Sequence, residues 1–134
     1  FFSTDTRYGD DSRTAAAAIR VHPSGRFLYT TNRVFHGEKM GLVSCYAINP
    51  ENGIPTLTAL VPTHGAVPRD MILTNDGTLC LVANQDSHTI ASYAVNPETG
   101  VLKHLQTTGE TVTNPVSLLI ISDPPATATT ATTE

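Results

Sequence analysis

The sequence predicts an all-β chain built from a repeated four-stranded unit, and three observations carry that prediction. Residues 19–33, IRVHPSGRFLYTTNR, match residues 71–85, MILTNDGTLCLVANQ, at an offset of 52, with Gly25 on Gly77, Tyr29 on Leu81 and Asn32 on Asn84. Further along, SCYAINPENG (44–53) matches ASYAVNPETG (91–100) at an offset of 47, which persists where Val67-Pro68 meets Asn114-Pro115. An insertion within VFHGEKMG, after Arg33, separates the two offsets. Composition agrees: nine Gly, nine Pro and only 15% charged residues suit short strands joined by tight turns.

Each unit reads the same way from its start. A short apolar strand (AIRV, 18–21; MILT, 71–74) enters a turn, His-Pro-Ser-Gly or Thr-Asn-Asp-Gly, whose Gly supplies a positive φ. The second strand (RFLYTTN, 26–32; TLCLVAN, 78–84) is nearly continuously apolar, as a strand covered on both faces should be. The third (VSCYAIN, 43–49; TIASYAVN, 89–96) alternates, and Asn-Pro-Glu-x-Gly closes its turn. The fourth (LTALV, 57–61; LKHLQTT, 102–108) is more polar, like an outer edge strand.

Four strands in a unit of about 50 residues is the pattern of a β-propeller blade. The expected layout is the end of a preceding blade and a loop over 1–14, one blade over 15–66 and a second over 67–113. The first strand of a closing blade then covers 114–122, and the Thr/Ala-rich stretch 123–134 reads as a disordered tail. Two blades cannot close a ring, which takes about four to eight. The expected partners are therefore the remaining blades or further copies of the chain.

A net charge of −4 without Lys/Arg clusters argues against a nucleic-acid surface. No apolar run approaches the roughly 20 residues of a membrane-spanning helix. Phe1-Phe2 is followed at once by STDTRYGDD, which does not read as a leader, so cytoplasmic residence is the expectation. Cys45 and Cys80 sit in strand-like contexts and read as buried thiols. Neither a metal site nor a cofactor is expected, because no zinc spacing, EF-hand loop or Gly-rich phosphate loop is present. The G-x-S-x-G nucleophile elbow is absent as well.

The segments HPSGRFLYTTNR (22–33), PRDMILTNDGTLCLVANQDSHTIASYAVNPETGVL (68–102) and NPVSLLI (114–120) resemble the seven-bladed lactonase family. That family includes 6-phosphogluconolactonases and the fungal carboxy-muconate lactonizing enzymes. The likeness covers about residues 14–121 and rests on P-R-D, D-G-x-x-x-x-V-A-N-Q and Y-x-[IV]-N-P-E-x-G taken together. It corresponds to the last part of the family pattern. The first unit departs from it in the inserted VFHGEKMG and in Ile54-Pro55, where the second has Val101-Leu102. Earlier blades, which in the lactonizing branch carry a proposed catalytic His and Glu, lie outside the match.

Arg33 and Arg69 are the leading candidates for chemistry. Arg33 ends a buried strand and Arg69 opens an inner one, and a guanidinium fork suits phosphate or carboxylate. The resemblance implies that Arg33 grips an acidic substrate or its lactone oxygen, and matches Arg69 to the P-R-D arginine. Alternatively, Arg69 pairs with Asp70 or Asp86 and ties blades together. Asn32, Asn84 and Gln85 recur at one strand end, as substrate amides or as loop caps. Asp70 orients Arg69 or serves as a base. Among five histidines, His64 is the candidate base, His22 is structural, His36 and His88 lie in loops, and His104 is solvated on an outer strand.

The resemblance implies a lactonase of the 6-phosphogluconolactonase type, hydrolysing a sugar lactone by electrostatic support of the oxyanion while water attacks. The parent would be the enzyme and the isolated piece inactive. The alternatives are a muconate-lactonizing relative and a non-catalytic binding or assembly module, since one fold hosts many functions.

Overall fold

The computed structural model describes residues 14–35, 40–109 and 112–121. The head 1–13, His36 and the tail 123–134 lie outside the described residues. Eight strands follow in order: β1 (Thr14–Val21), β2 (Phe27–Val34), β3 (Met40–Ile48), β4 (Pro55–Ala66), β5 (Pro68–Leu73), β6 (Leu79–Asn84), β7 (Thr89–Val95) and β8 (Leu102–Thr107). They form two antiparallel sheets in plain order, β1-β2-β3-β4 and β5-β6-β7-β8. This is a β-propeller fragment of two blades, with the turns at 22–25, 49–53, 74–77 and 96–100 where the repeat places them.

The hairpins obey their turn chemistry. Gly25 and Gly77 both take φ +72°, a region that costs an L side chain about 1 kcal/mol or more. In the second blade, the Asp76 carboxylate accepts from Thr74 Oγ1 at 2.6 Å and from Thr78 N at 3.0 Å. Those bonds favour the ionised carboxylate and hold its pKa below the ordinary 3.8, at about 2. In the first, His22 Nδ1 accepts from Ser24 N at 3.1 Å, so Nε2 carries the proton and donates to Gly77 O at 3.0 Å.

The core lies between the blades. Phe27, Tyr29, Val43 and Cys45 from the first meet Met71, Cys80, Val82, Ala91 and Tyr93 from the second. Two phenols cross the seam in opposite directions. Tyr29 OH donates to Gly100 O at 2.7 Å, and Tyr93 OH donates to Pro62 O at 2.9 Å. Each such bond stabilises by about 1 kcal/mol beyond the ring's burial. Burial pushes both phenols well above the ordinary 10.0, and for Tyr93 the neighbouring Cys80 adds to that effect. Cys45 and Cys80 are free and buried, and burial pushes their thiols up to about 11 and about 12.

Small residues let the sheets approach. A Cβ on Gly41 would overlap the Pro68 ring, and one on Gly65 would lie 2.6 Å from the Asn84 side chain. Residues 115–121 belong to neither sheet, although the sequence leads one to expect a strand there; no neighbouring strand is described to pair with them. They are nonetheless tied to the second blade, because Leu118 N donates to Asp70 Oδ2 at 2.8 Å. Among the described residues, no helix is long and apolar enough to cross a membrane.

Candidate functional site at one rim of the blades

The strand registers gather the candidate residues on one rim. In the first blade Ala16 pairs with Asn32, Asn32 with Leu42, and Leu42 with Pro62. In the second, Pro68 pairs with Asn84 and Asn84 with Thr89. The ends of β2, β4 and β6 and the start of β5 therefore share one edge. Arg33, Asn32, His64, Arg69, Asp70, Asn84 and Gln85 all stand at or beside it.

A bulge decides how Arg69 is presented. Pro68 pairs with Asn84, yet Asp70 pairs with Ala83, so β5 spends one residue more than β6 there. Arg69 is that extra residue, and a bulge re-aims the side chain it carries. The result is an exposed arginine that makes no hydrogen bond or ion pair among the described residues. The expected pairing with Asp70 or Asp86 does not form. Asp70 instead meets Arg20 of β1 at 2.8 Å, across the seam between the blades. Its Oδ1 also accepts from Met71 N at 2.8 Å, while Oδ2 holds Leu118 N. A carboxylate so occupied is a structural tie, because both oxygens are already engaged.

Arg33 is more constrained than Arg69. It donates from Nε to Ala15 O at 3.4 Å and from Nη2 to Ala16 O at 3.2 Å, and its guanidinium lies 5.7 Å from the Phe35 ring centre. The two carbonyls lie just ahead of the matching bulge of β1, which falls between Ala16 and Ile19.

The buried amides face inward. Asn32 Nδ2 donates to Ser44 Oγ at 2.9 Å, and Asn84 Nδ2 donates to Thr63 O of the first blade at 2.8 Å. Gln85 is half-buried and uses its backbone, donating from N to Val67 O at 2.9 Å. Its side-chain amide makes no hydrogen bond among the described residues.

His64 takes φ 53°, a left-handed conformation uncommon for its type, and stacks on His104 at 3.8 Å between ring centres. His104 is thus half-buried between His64 and Tyr93, contrary to the solvated position expected for it. Burial, and then the charge of His104, lower the pKa of His64 below the ordinary 6.5. His88 lies in a tight turn with φ 55°, and its Nδ1 accepts from Asn114 N at 3.1 Å.

Comparison with known proteins gives this rim its context. The family described as "Lactonase, 7-bladed beta-propeller" matches residues 2–120. The chain belongs to that lactonase family. A 6-phosphogluconolactonase of Formosa agariphila is 37% identical over 90 residues, which is 67% of this chain and 25% of the relative. One of Sodalis glossinidius is 30% identical over 102 residues, covering 76% of this chain and 27% of its own length. The solved structure of the periplasmic gluconolactonase of Pseudomonas aeruginosa superposes with a TM-score of 0.73 at 28% identity. That match covers 83% of this chain and 29% of the other. The chain spans about a quarter of the length of the curated relatives it matches.

As a lactonase-family fragment, the chain has a second concavity that must be kept apart from the rim. A cleft of about 830 Å³ opens at the opposite edge, among the hairpins, lined by residues such as Arg26, Phe27, Ile48 and Glu98. Its Arg26 already donates to Pro97 O at 3.4 Å and Glu98 O at 3.2 Å, and no candidate residue reaches it. Its volume is therefore a poor guide to the chemistry. Sequence reasoning missed Arg20. The available signal was a charge inside an apolar strand where the second unit has Ile72, since a charge so placed calls for a partner.

Proposed function

We propose that the chain contributes one wall of the substrate site in a lactonase of the 6-phosphogluconolactonase type. The observation that carries this is Arg69, aimed outward by the β5 bulge with its guanidinium unpaired among the described residues. Asp70 beside it is tied on both oxygens and so leaves the guanidinium uncompensated.

In this reading Arg69 meets the lactone oxygen or an anionic substituent of a sugar lactone through its N–H fork. As water adds, negative charge grows on the carbonyl oxygen, and a fixed cation lowers that barrier without reorganising. Gln85, at the adjoining strand end, donates to a substrate hydroxyl. Arg33 adds positive potential from the first blade, and Asn32 and Asn84 hold the strand ends in place. His64 remains a contact between blades, because its ring stacks on that of His104 across the seam.

The names of the Formosa and Sodalis relatives support 6-phosphogluconolactone as the substrate to try first. Cytoplasmic residence belongs to the proposal too, and the periplasmic description of the Pseudomonas neighbour makes cell fractionation its direct check.

The test is hydrolysis of 6-phosphogluconolactone and of gluconolactone by a ring-completed protein containing these residues. Arg69→Ala should lower kcat about 100-fold or more, and Arg69→Lys should recover only part of it because the planar fork is lost. Full activity in Arg69→Ala would remove this arginine from the reaction. Absence of hydrolysis in a ring with normal native mass would favour a non-catalytic module.

A further inference from the structure

Arg20 stands in an apolar strand, where the matching position of the second blade holds Ile72. A charge so placed calls for an anion, and Asp70 supplies one from the next blade. Arg20 Nη2 donates to Asp70 Oδ1 at 2.8 Å, while Nη1 donates to Ile19 O of its own strand at 2.9 Å. The bond to Ile19 holds one arm of the guanidinium and leaves the other aimed at the carboxylate. The Asp70 side chain is 12% exposed and that of Arg20 40%, so the anion is the better shielded partner.

Two cations compete for Asp70. Arg69 precedes it in the chain, and the bulge interrupts the alternation that would otherwise send the two side chains to opposite faces. Yet Arg69 is exposed and makes no ion pair among the described residues. Of the three donors on Asp70, two are neutral main-chain groups, Met71 N and Leu118 N, each at 2.8 Å. Arg20 alone brings a full charge. The carboxylate is therefore balanced from across the seam rather than by its neighbour in sequence. Asp86, at the end of the adjoining strand, is exposed and pairs with no cation among the described residues, so it does not occupy Arg69 either.

We propose that Arg20 is a positioning residue of the rim: by holding Asp70, it keeps the guanidinium of Arg69 free for an anionic or oxyanionic ligand, a role that rests on Arg69 serving the lactone. Without Arg20, the charge of Asp70 meets only neutral N–H groups, and Arg69 is the cation next to it in the chain. A pair formed at so exposed a site shifts an equilibrium by up to about five-fold, which sets the size of the effect.

Phenylglyoxal, which modifies accessible guanidinium groups and spares paired ones, reads the state of Arg69 in the full chain, with the labelled peptide quantified by mass spectrometry. Arg20→Met should slow labelling of Arg69 about five-fold, and Arg20→Lys should leave it near the parent rate. Combining Arg20→Met with Asp70→Asn should restore the rate, because the competing charge is gone. Loosening of the fold would speed labelling, so slowing is not a mark of instability. Equal rates in the parent and Arg20→Met overturn the proposal, and so does a slowing that persists in the double variant. In the ring-completed protein, Arg20→Met should lower kcat/KM for 6-phosphogluconolactone by about five-fold, far less than Arg69→Ala. Activity lost in Arg69→Ala but unchanged in Arg20→Met overturns the positioning role alone. Activity unchanged in both overturns the role of Arg69 instead, and the labelling rates still decide whether Arg20 holds Asp70 away from it.

Discussion

The two blades share a fold grammar and differ in what they do with it. The second blade opens with Pro68-Arg69-Asp70, whereas the first has Ala16-Ala17-Ala18 at the matching positions. Both inner strands carry a bulge there, so the backbone device is common to the two. Only one of them is armed. In the first blade the bulge exposes the methyl of Ala17, and Ala18 N is satisfied by Thr31 Oγ1 at 2.9 Å. In the second the same geometry exposes a guanidinium, and the following residue carries a carboxylate that ties β1, β5 and the segment around Leu118. The scaffold is thus repeated while chemistry is added locally, as expected when function is grafted onto a fold.

That contrast can be broken first at Asp70. Asp70→Ala should destabilise the chain by roughly 3 kcal/mol, because it strands two backbone N–H groups and unpairs Arg20. The urea midpoint measures this, and a loss under about 1 kcal/mol would mean that the tie is not made in solution. Arg20→Met should cost less, since it leaves both backbone bonds in place.

The hairpin glycines come next. Gly25 and Gly77 share φ +72°, but a Cβ on Gly25 meets open space while one on Gly77 overlaps His22. Gly25→Ala should cost about 1 kcal/mol from the left-handed backbone alone. Gly77→Ala should cost about 2–3 kcal/mol, because it also displaces the ring that bridges the two turns. Equal losses in thermal unfolding would show that the His22 contact contributes nothing.

Much of this was legible in the sequence, for a physical reason. Repeats align because each blade must satisfy the same turn and burial constraints, so Gly25 and Gly77, or Asn32 and Asn84, announce themselves by recurrence. Pairings across the seam do not recur in that way. Nothing in P-R-D says whether Asp70 answers Arg69, its neighbour, or Arg20, fifty residues away. Strand alternation sends adjacent side chains to opposite faces, which disfavours the first choice, but the bulge at Arg69 interrupts that alternation. His104 departs from its expected place for a similar reason: an outer strand looks solvated until the neighbouring blade's His64 is laid against it.

The smallest expected effect lies in that histidine pair, which only the seam between blades creates. His64 holds its proton less tightly in the folded chain than its ordinary 6.5, from burial first and from the charge of His104 second. Between the folded and unfolded values the unfolded chain binds more protons, so stability must rise with pH across that interval. The contribution is complete above about pH 6.5 and fades as pH falls through the folded value. Because the ring is exposed, solvent screening keeps the effect modest. His64→Phe retains a ring to stack on His104 and has no proton to gain. Its urea midpoint should therefore fall less steeply than that of the parent chain as the buffer is taken from neutral to mildly acidic. Parallel slopes for the two proteins would mean that the stack does not couple protonation to the union of the blades.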